Sequence, residues 1–228
     1  MTLKHYFTLC FSVSTLTLSS SAMVWENGDH STSAGVAFSS DYAWRGYSQT
    51  DEEMAISGSL DYSHASGFYL GTWASNIDFG STSSMEIDVY AGFGGDITDS
   101  GVSYDLGVLR YMYPSEGSLN WNEYYGSLSY SLFTAFVGYT DEYAGSEDVD
   151  AIYYNLSAGY DITDTGISLA AAVGYYDIDG ADADYTDWSI GASTEAAGFG
   201  LDLSYINTDV DNQKLADSRI VFTVSKSV

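Results

Sequence analysis

The chain has 228 residues, enough for one sizeable β-domain and short for two. Six Lys+Arg against 32 Asp+Glu give a formal charge of −26, the wrong sign for a nucleic-acid binder. With 45% hydrophobic and 16% aromatic residues the chain is not a disordered one, and its single Cys excludes both a disulfide scaffold and a cysteine-held zinc or iron–sulfur centre.

The first element is a targeting segment. Lys4 and His5 precede an apolar run from Tyr6 to Leu18, and the small residues Ser19-Ser20-Ser21-Ala22 follow. That order is the n-region, h-region and cleavage site of a secretory signal peptide, with cleavage expected after Ala22. Residues 1–22 are therefore read as signal, 23–32 as a flexible mature N-terminus and 33–228 as the folded domain. Cys10 lies within the h-region behind Thr8 and Leu9, which argues against lipidation. The mature chain keeps five bases against 32 acids, a charge of −27. No later stretch reaches 18 consecutive apolar residues, so no transmembrane helix is expected.

From Gly35 onward the chain alternates with period two. Val36, Phe38, Tyr42 and Trp44 alternate with Gly35, Ala37, Ser39 and Asp41. Met54, Ile56, Leu60 and Tyr62 do so with Ala55, Ser57, Ser59 and Asp61. The pattern returns in Met85–Phe93, Ile152–Ala158, Ile167–Tyr175 and Phe199–Tyr205. Weaker strands are predicted over Phe68–Ser75, Val102–Tyr113, Glu123–Tyr130, Phe133–Thr140, Thr186–Thr194 and Ser218–Val228. The total is about twelve, with one apolar face and one face of Gly, Ser, Ala, Tyr and isolated acids, although in Phe68–Ser75 the spacing does not say which face is which. Strand-borne Lys is almost absent. An apolar face toward lipid around a polar lumen suits this better than a soluble sandwich, whose outer faces carry mixed charge.

The connections alternate in length. The short set is 64–67, 96–101, the turn near Ser131, 161–166 and 195–198; the long set is 47–53, 76–84, 114–122, 141–150, 177–184 and 207–217. Short turns at one end and long loops at the other are the habit of an outer-membrane barrel. Asp96-Ile97-Thr98-Asp99-Ser100-Gly101 recurs as Asp161-Ile162-Thr163-Asp164-Thr165-Gly166, a reused hairpin turn in which Asp/Thr bond local backbone and Gly supplies positive φ.

The stretches Ser39–Thr50 (SSDYAWRGYSQT) and Asp61–Phe79 (DYSHASGFYLGTWASNIDF), with Glu86-Ile87-Asp88 and Tyr104-Asp105-Leu106-Gly107, resemble the TorF family of proteobacterial porin-like proteins. The resemblance runs over the mature chain and is strongest between Phe38 and Phe79. It implies an outer-membrane β-barrel with a pore, in a Gram-negative bacterium, and brings no catalytic or ligand-binding residues. Trp44 stands where Phe is expected, Met54 where Pro is frequent, and the chain ends in Val228 and not in the Phe favoured for barrel assembly.

The candidate pore-lining residues share the small, polar parity: Asp41, Asp61, Glu86, Asp88, Asp105, Glu123, Asp187 and Asp202, with Arg45 and Arg219 as the inward bases. Such a lumen concentrates cations and disfavours anions; the opposing reading is that the acids bond Ser, Tyr and Arg inside a plugged, non-conducting barrel. Arg45 is read as pairing with lumen carboxylates or constricting the pore, or else as one salt bridge that fixes the barrel rim. Arg110 has outward parity and must lie near an interface, because Arg at mid-bilayer on the lipid face costs roughly 2–4 kcal/mol. The acidic loops, above all Asp177, Asp179, Asp182 and Asp184, have oxygen ligands for a divalent cation but lack the twelfth-position Glu of a calcium loop. A solvated acidic surface explains them more simply, so no metal and no cofactor are assigned. Trp44, Trp73, Trp121 and Trp188 are expected in aromatic girdles. An enzyme is disfavoured: His30 lies in the mature lead-in, His64 at a short turn, and no Gly-x-Ser-x-Gly elbow is present.

The sequence thus reads as an all-β protein, an antiparallel transmembrane barrel of about twelve strands. It would pass small hydrophilic solutes, with cations preferred. Its expected partners are outer-membrane lipid, those solutes or cations and the outer-membrane assembly machinery, and no nucleic acid. A closed structural or adhesive barrel presenting acidic loops is the alternative, and a soluble secreted β-protein the third reading.

Overall fold

The computed structural model describes residues 23–180 and 183–228; the expected signal peptide, 1–22, lies outside them. Twelve strands close an antiparallel barrel: β2 (His30–Ser39), β5 (Ala55–His64), β6 (Phe68–Asn76), β7 (Met85–Ile97), β8 (Val102–Met112), β9 (Trp121–Tyr130), β10 (Phe133–Thr140), β11 (Ala151–Ile162), β12 (Ile167–Ile178), β13 (Tyr185–Ala196), β14 (Phe199–Thr208) and β15 (Arg219–Ser227). Each pairs with its successor, and β2 closes the ring by pairing with β5 on one side and β15 on the other. Closure removes every open sheet edge, as a backbone in lipid requires. Three short strands stand outside the ring: β1 (Met23–Asn27), and β3 (Ala43–Trp44) with β4 (Tyr47–Ser48).

The parity expected from the sequence holds around the barrel. Phe38, Ile56, Leu70, Val89, Leu106, Leu128, Leu156, Val173, Ile190, Leu203 and Ile220 are exposed on the outside. Their neighbours along each strand face in. Arg110 is outward and lies two residues from the long-loop end of β8, opposite Val89 and Asn122. The long connections gather at one end of the barrel, the short turns and both ends of the described chain at the other.

Two N-terminal expectations are corrected. Residues 23–32, expected as a flexible lead-in, carry β1 and the start of β2. The β1–β2 hairpin pairs Asn27 with His30 and Met23 with Ser33, on the side of β2 that β15 occupies higher up. Val228 bonds Ala34 both ways, so β1 continues the line of β15 and fills the notch below it. The first barrel strand also ends at Ser39 and does not run on to Trp44. The alternation through Tyr42 and Trp44 is real, but there the chain leaves the wall and turns into the lumen.

Candidate functional site: a lumen entered by an inward hairpin

The segment 40–54 between β2 and β5 makes the site. Trp44 pairs with Tyr47, leaving Arg45 and Gly46 as a two-residue turn with φ of 46° and 89°. Positive φ at both central positions is the geometry of a tight hairpin turn. Gly46 suits it: a Cβ there would meet Thr208 Cγ2 at 2.3 Å and Asp187 Cβ at 3.0 Å. Arg45 adopts it against the preference of a side-chain-bearing residue.

Asp41 anchors the segment. Its Oδ1 accepts from Ser48 Oγ (2.7 Å) and Thr50 Oγ1 (2.9 Å), and its Oδ2 pairs with Arg219 Nη1 of β15 (2.8 Å). One buried carboxylate thus ties both arms of the hairpin to the barrel wall. At the surface, Lys214 Nζ reaches Asp51 Oδ1 (2.7 Å) and Glu52 Oε2 (3.5 Å), linking this loop to the last long one. That ammonium is held above the ordinary lysine value, chiefly by its hydrogen bond to Asp51.

The hairpin tip delivers a cation into the interior. Arg45 Nη2 lies 2.6 Å from Glu123 Oε2, and both side chains are essentially inaccessible to water. The guanidinium carbon sits 4.0 Å from the Tyr153 ring centroid, 4.5 Å from Trp44 and 4.8 Å from Tyr176. More rings pack around these: Trp121 stacks on Tyr111 at 4.1 Å, and Tyr143 meets Tyr176 edge-on at 5.2 Å. Two buried aromatic clusters pack in the interior, most of their members toward the long loops, with Trp44 touching both. Toward the short turns the inner face changes to small polar residues, half-buried at Ser33, Ser59, Ser127 and Ser157.

The predicted acids face in, and tyrosine hydroxyls meet four of them. Tyr42 donates to Glu86 (2.8 Å), Tyr69 to Asp105 (2.6 Å), Tyr153 to Asp187 (2.9 Å) and Tyr90 to Asp61. Asp202 accepts from Ser204 (2.8 Å). Asp88 Oδ1 is buried without a hydrogen-bond partner. The inward tyrosines lie over inward glycines: a Cβ at Gly71 would strike Tyr90, at Gly92 Tyr69, and at Gly107 Tyr125. Glycine makes room for the ring, and the ring covers the glycine's bare backbone.

The structure therefore brings Arg45 and Glu123 together with Tyr153 and Tyr176 from separate strands, and Asp41 with Arg219. Of the readings open for Arg45, pairing with an inward carboxylate is the one the geometry matches, and the pair lies inside the barrel and not at its rim. Trp121 is also buried inside, and Trp44 and Trp73 pack on the same clusters; only Trp188, of the four assigned to girdles, has outward parity. The cause is that a tyrosine or tryptophan serves either side of the wall, provided its polar atom finds a partner. The signal available in the sequence was the inward parity of Tyr90, Tyr111, Tyr153 and Tyr176; that of Tyr69 was hidden, because its strand does not alternate clearly. In the acidic loop after β12, Asp184 accepts from the Ile178 amide (2.9 Å) and the Tyr175 hydroxyl (3.1 Å), while Asp182 lies outside the described residues. Among the described residues no three His, Cys, Asp or Glu converge as metal ligands.

Residues 25–228 match the Gcw_chp family, described as a bacterial protein of unknown function. The chain belongs to that family. No curated protein matches it. Among solved structures, a KdgM porin overlays with a TM-score of 0.55 at 10% identity, over 86% of this chain and 97% of that one. A structure from work on in-meso crystallization of membrane proteins gives 0.54 at 11% identity, over 86% and 83%. The outer membrane protein opdK from Pseudomonas aeruginosa gives 0.44 at 10%, over 90% and 68%. The likeness is one of fold. A closed bacterial barrel of this kind, with a continuous apolar exterior, is an integral protein of the outer membrane.

Proposed function

We propose that the protein is a porin-like channel for passive diffusion of small hydrophilic solutes, with cations preferred and no catalytic step. One observation carries this reading: of the described basic residues only Arg45 and Arg219 point inward, against the inward acids Asp41, Asp61, Glu86, Asp88, Asp105, Glu123, Asp187 and Asp202. Fixed negative charge in a low-dielectric wall raises the local cation concentration and repels anions. The acidic loops at the long-loop mouth add to the same field. The resemblance of Ser39–Thr50 and Asp61–Phe79 to the TorF porins agrees with it. In this reading the β3–β4 hairpin sets the aperture.

The aromatic packing toward the long loops favours a second reading, a closed structural barrel that presents acidic loops. Single-channel recording of the refolded mature chain across a planar bilayer in a KCl gradient separates the two. Current steps that reverse toward the K⁺ equilibrium potential are expected from the channel, with the preference reduced in the Asp61→Asn, Asp88→Asn, Asp105→Asn triple variant. A correctly folded but silent barrel overturns the channel reading.

A further inference from the structure

The cage around Arg45 belongs mostly to the barrel and not to the hairpin. Glu123 comes from β9, Tyr153 from β11 and Tyr176 from β12, while Trp44 alone rides with the arginine. A carboxylate set beside the faces of electron-rich rings is the chemistry that recognises a guanidinium or an alkylammonium group. Fastening the hairpin does not require this arrangement, because Asp41 already ties Ser48 and Thr50 to Arg219. Yet the backbone at Arg45 takes a left-handed conformation that aims its side chain into the cage. The approach is also prepared for a cation: Asp141, Glu142, Glu147, Asp148 and Asp150 line one long loop at that mouth.

We propose that the cage is a binding site for small organic cations of the guanidinium and alkylammonium class, and that Arg45 occupies it as a tethered ligand. A diffusing cation takes the place of the guanidinium when the hairpin withdraws. The assignment names the solute class for the channel proposed above and rests on that reading.

Chemical rescue tests it on the full mature chain. Arg45→Ala vacates the cage. Methylguanidinium, titrated at constant ionic strength against the fluorescence of the refolded variant, is expected to give a saturable change at least tenfold tighter than in the wild type. Urea, a neutral molecule of similar shape, is expected to give none. The response is expected to vanish in Arg45→Ala/Glu123→Gln. A folded Arg45→Ala that shows no saturable change, or the same change as the wild type, overturns the proposal, as does a response that survives loss of Glu123. Should Arg45→Ala fail to refold alone, millimolar methylguanidinium in the refolding buffer is expected to restore the folded, heat-modifiable band, and failure to restore it overturns the proposal. Conductance of the same preparations is read separately. A silent barrel that binds methylguanidinium retains the cage and discards the channel.

Discussion

Arg45 and Glu123 form an ion pair with almost no access to water, and its consequences differ from those of a surface pair. Removing one partner leaves a buried charge uncompensated, which costs about 3–5 kcal/mol, whereas replacing both with apolar groups of similar volume is often neutral or stabilising. The rings at 4.0–4.8 Å soften the loss, since cation–π contact contributes roughly 2 kcal/mol when desolvated. Glu123→Gln is therefore expected to destabilise the barrel by several kcal/mol in a urea titration in lipid vesicles. Arg45→Met/Glu123→Gln is expected to recover most of that loss. A Glu123→Gln variant with wild-type stability would mean that the pair is not the buried contact described.

At the scale of elements, the segment 40–54 is held in the interior by Asp41 and at the surface by Lys214, which pairs with Asp51 and Glu52. The sign of the pH effect follows from the raised Lys214 value. A base favoured in its charged form by folding contributes fully below the ordinary lysine pKa, about 10.4, and the contribution is lost as pH rises through the raised value. Cys10 is the chain's one Cys, so in a protein produced from Met23 onward spin labels at Glu53→Cys and Gln213→Cys report on the two loops alone. A narrow distance distribution is expected at pH 8, broadening only once pH has risen above the ordinary lysine value. Adding Lys214→Ala is expected to broaden it already at pH 8, and an unchanged distribution there would place the restraint elsewhere. Much of this architecture was legible in the sequence. Gly, Ser and Ala on one parity against Ile, Leu and Val on the other set inside and outside for every strongly alternating strand, and turn length set the two ends. The hairpin was not legible, because Tyr42, Ala43 and Trp44 continue the alternation of β2 past the point where the chain leaves the wall. Nor was β1, whose five residues carry no clear alternation and gain their place only by extending the line of β15. The acids were found by parity, but their tyrosine partners arrive from neighbouring strands, which one-dimensional spacing does not bring together.

For the whole molecule the decisive feature is the outer surface. Leu60, Leu106, Leu128, Leu156, Ile190, Leu203 and Ile220 are each more than half exposed, and together they form a belt around the barrel. A soluble protein does not tolerate so large a continuous apolar surface, but a bilayer demands it. The outward charges respect the same boundary. Arg110 lies near the long-loop end of β8, and Lys226, which donates to Gly198 O at 2.6 Å, lies near the short-turn end of β15. The belt makes a prediction that separates lipid from lumen within one pair of strands. Leu106 faces out near the middle of β8, opposite Gly126, and the next pair down is Asp105 with Ser127, both facing in. Leu106→Arg puts a charge among acyl chains and is expected to cost roughly 2–4 kcal/mol in vesicle-based unfolding. Ser127→Arg puts the same side chain on the half-buried lumen face beside Asp105, and is expected to cost much less and to shift ion selectivity toward anions. If the two costs came out reversed, inside and outside would be exchanged on these strands, and the inward acids with them.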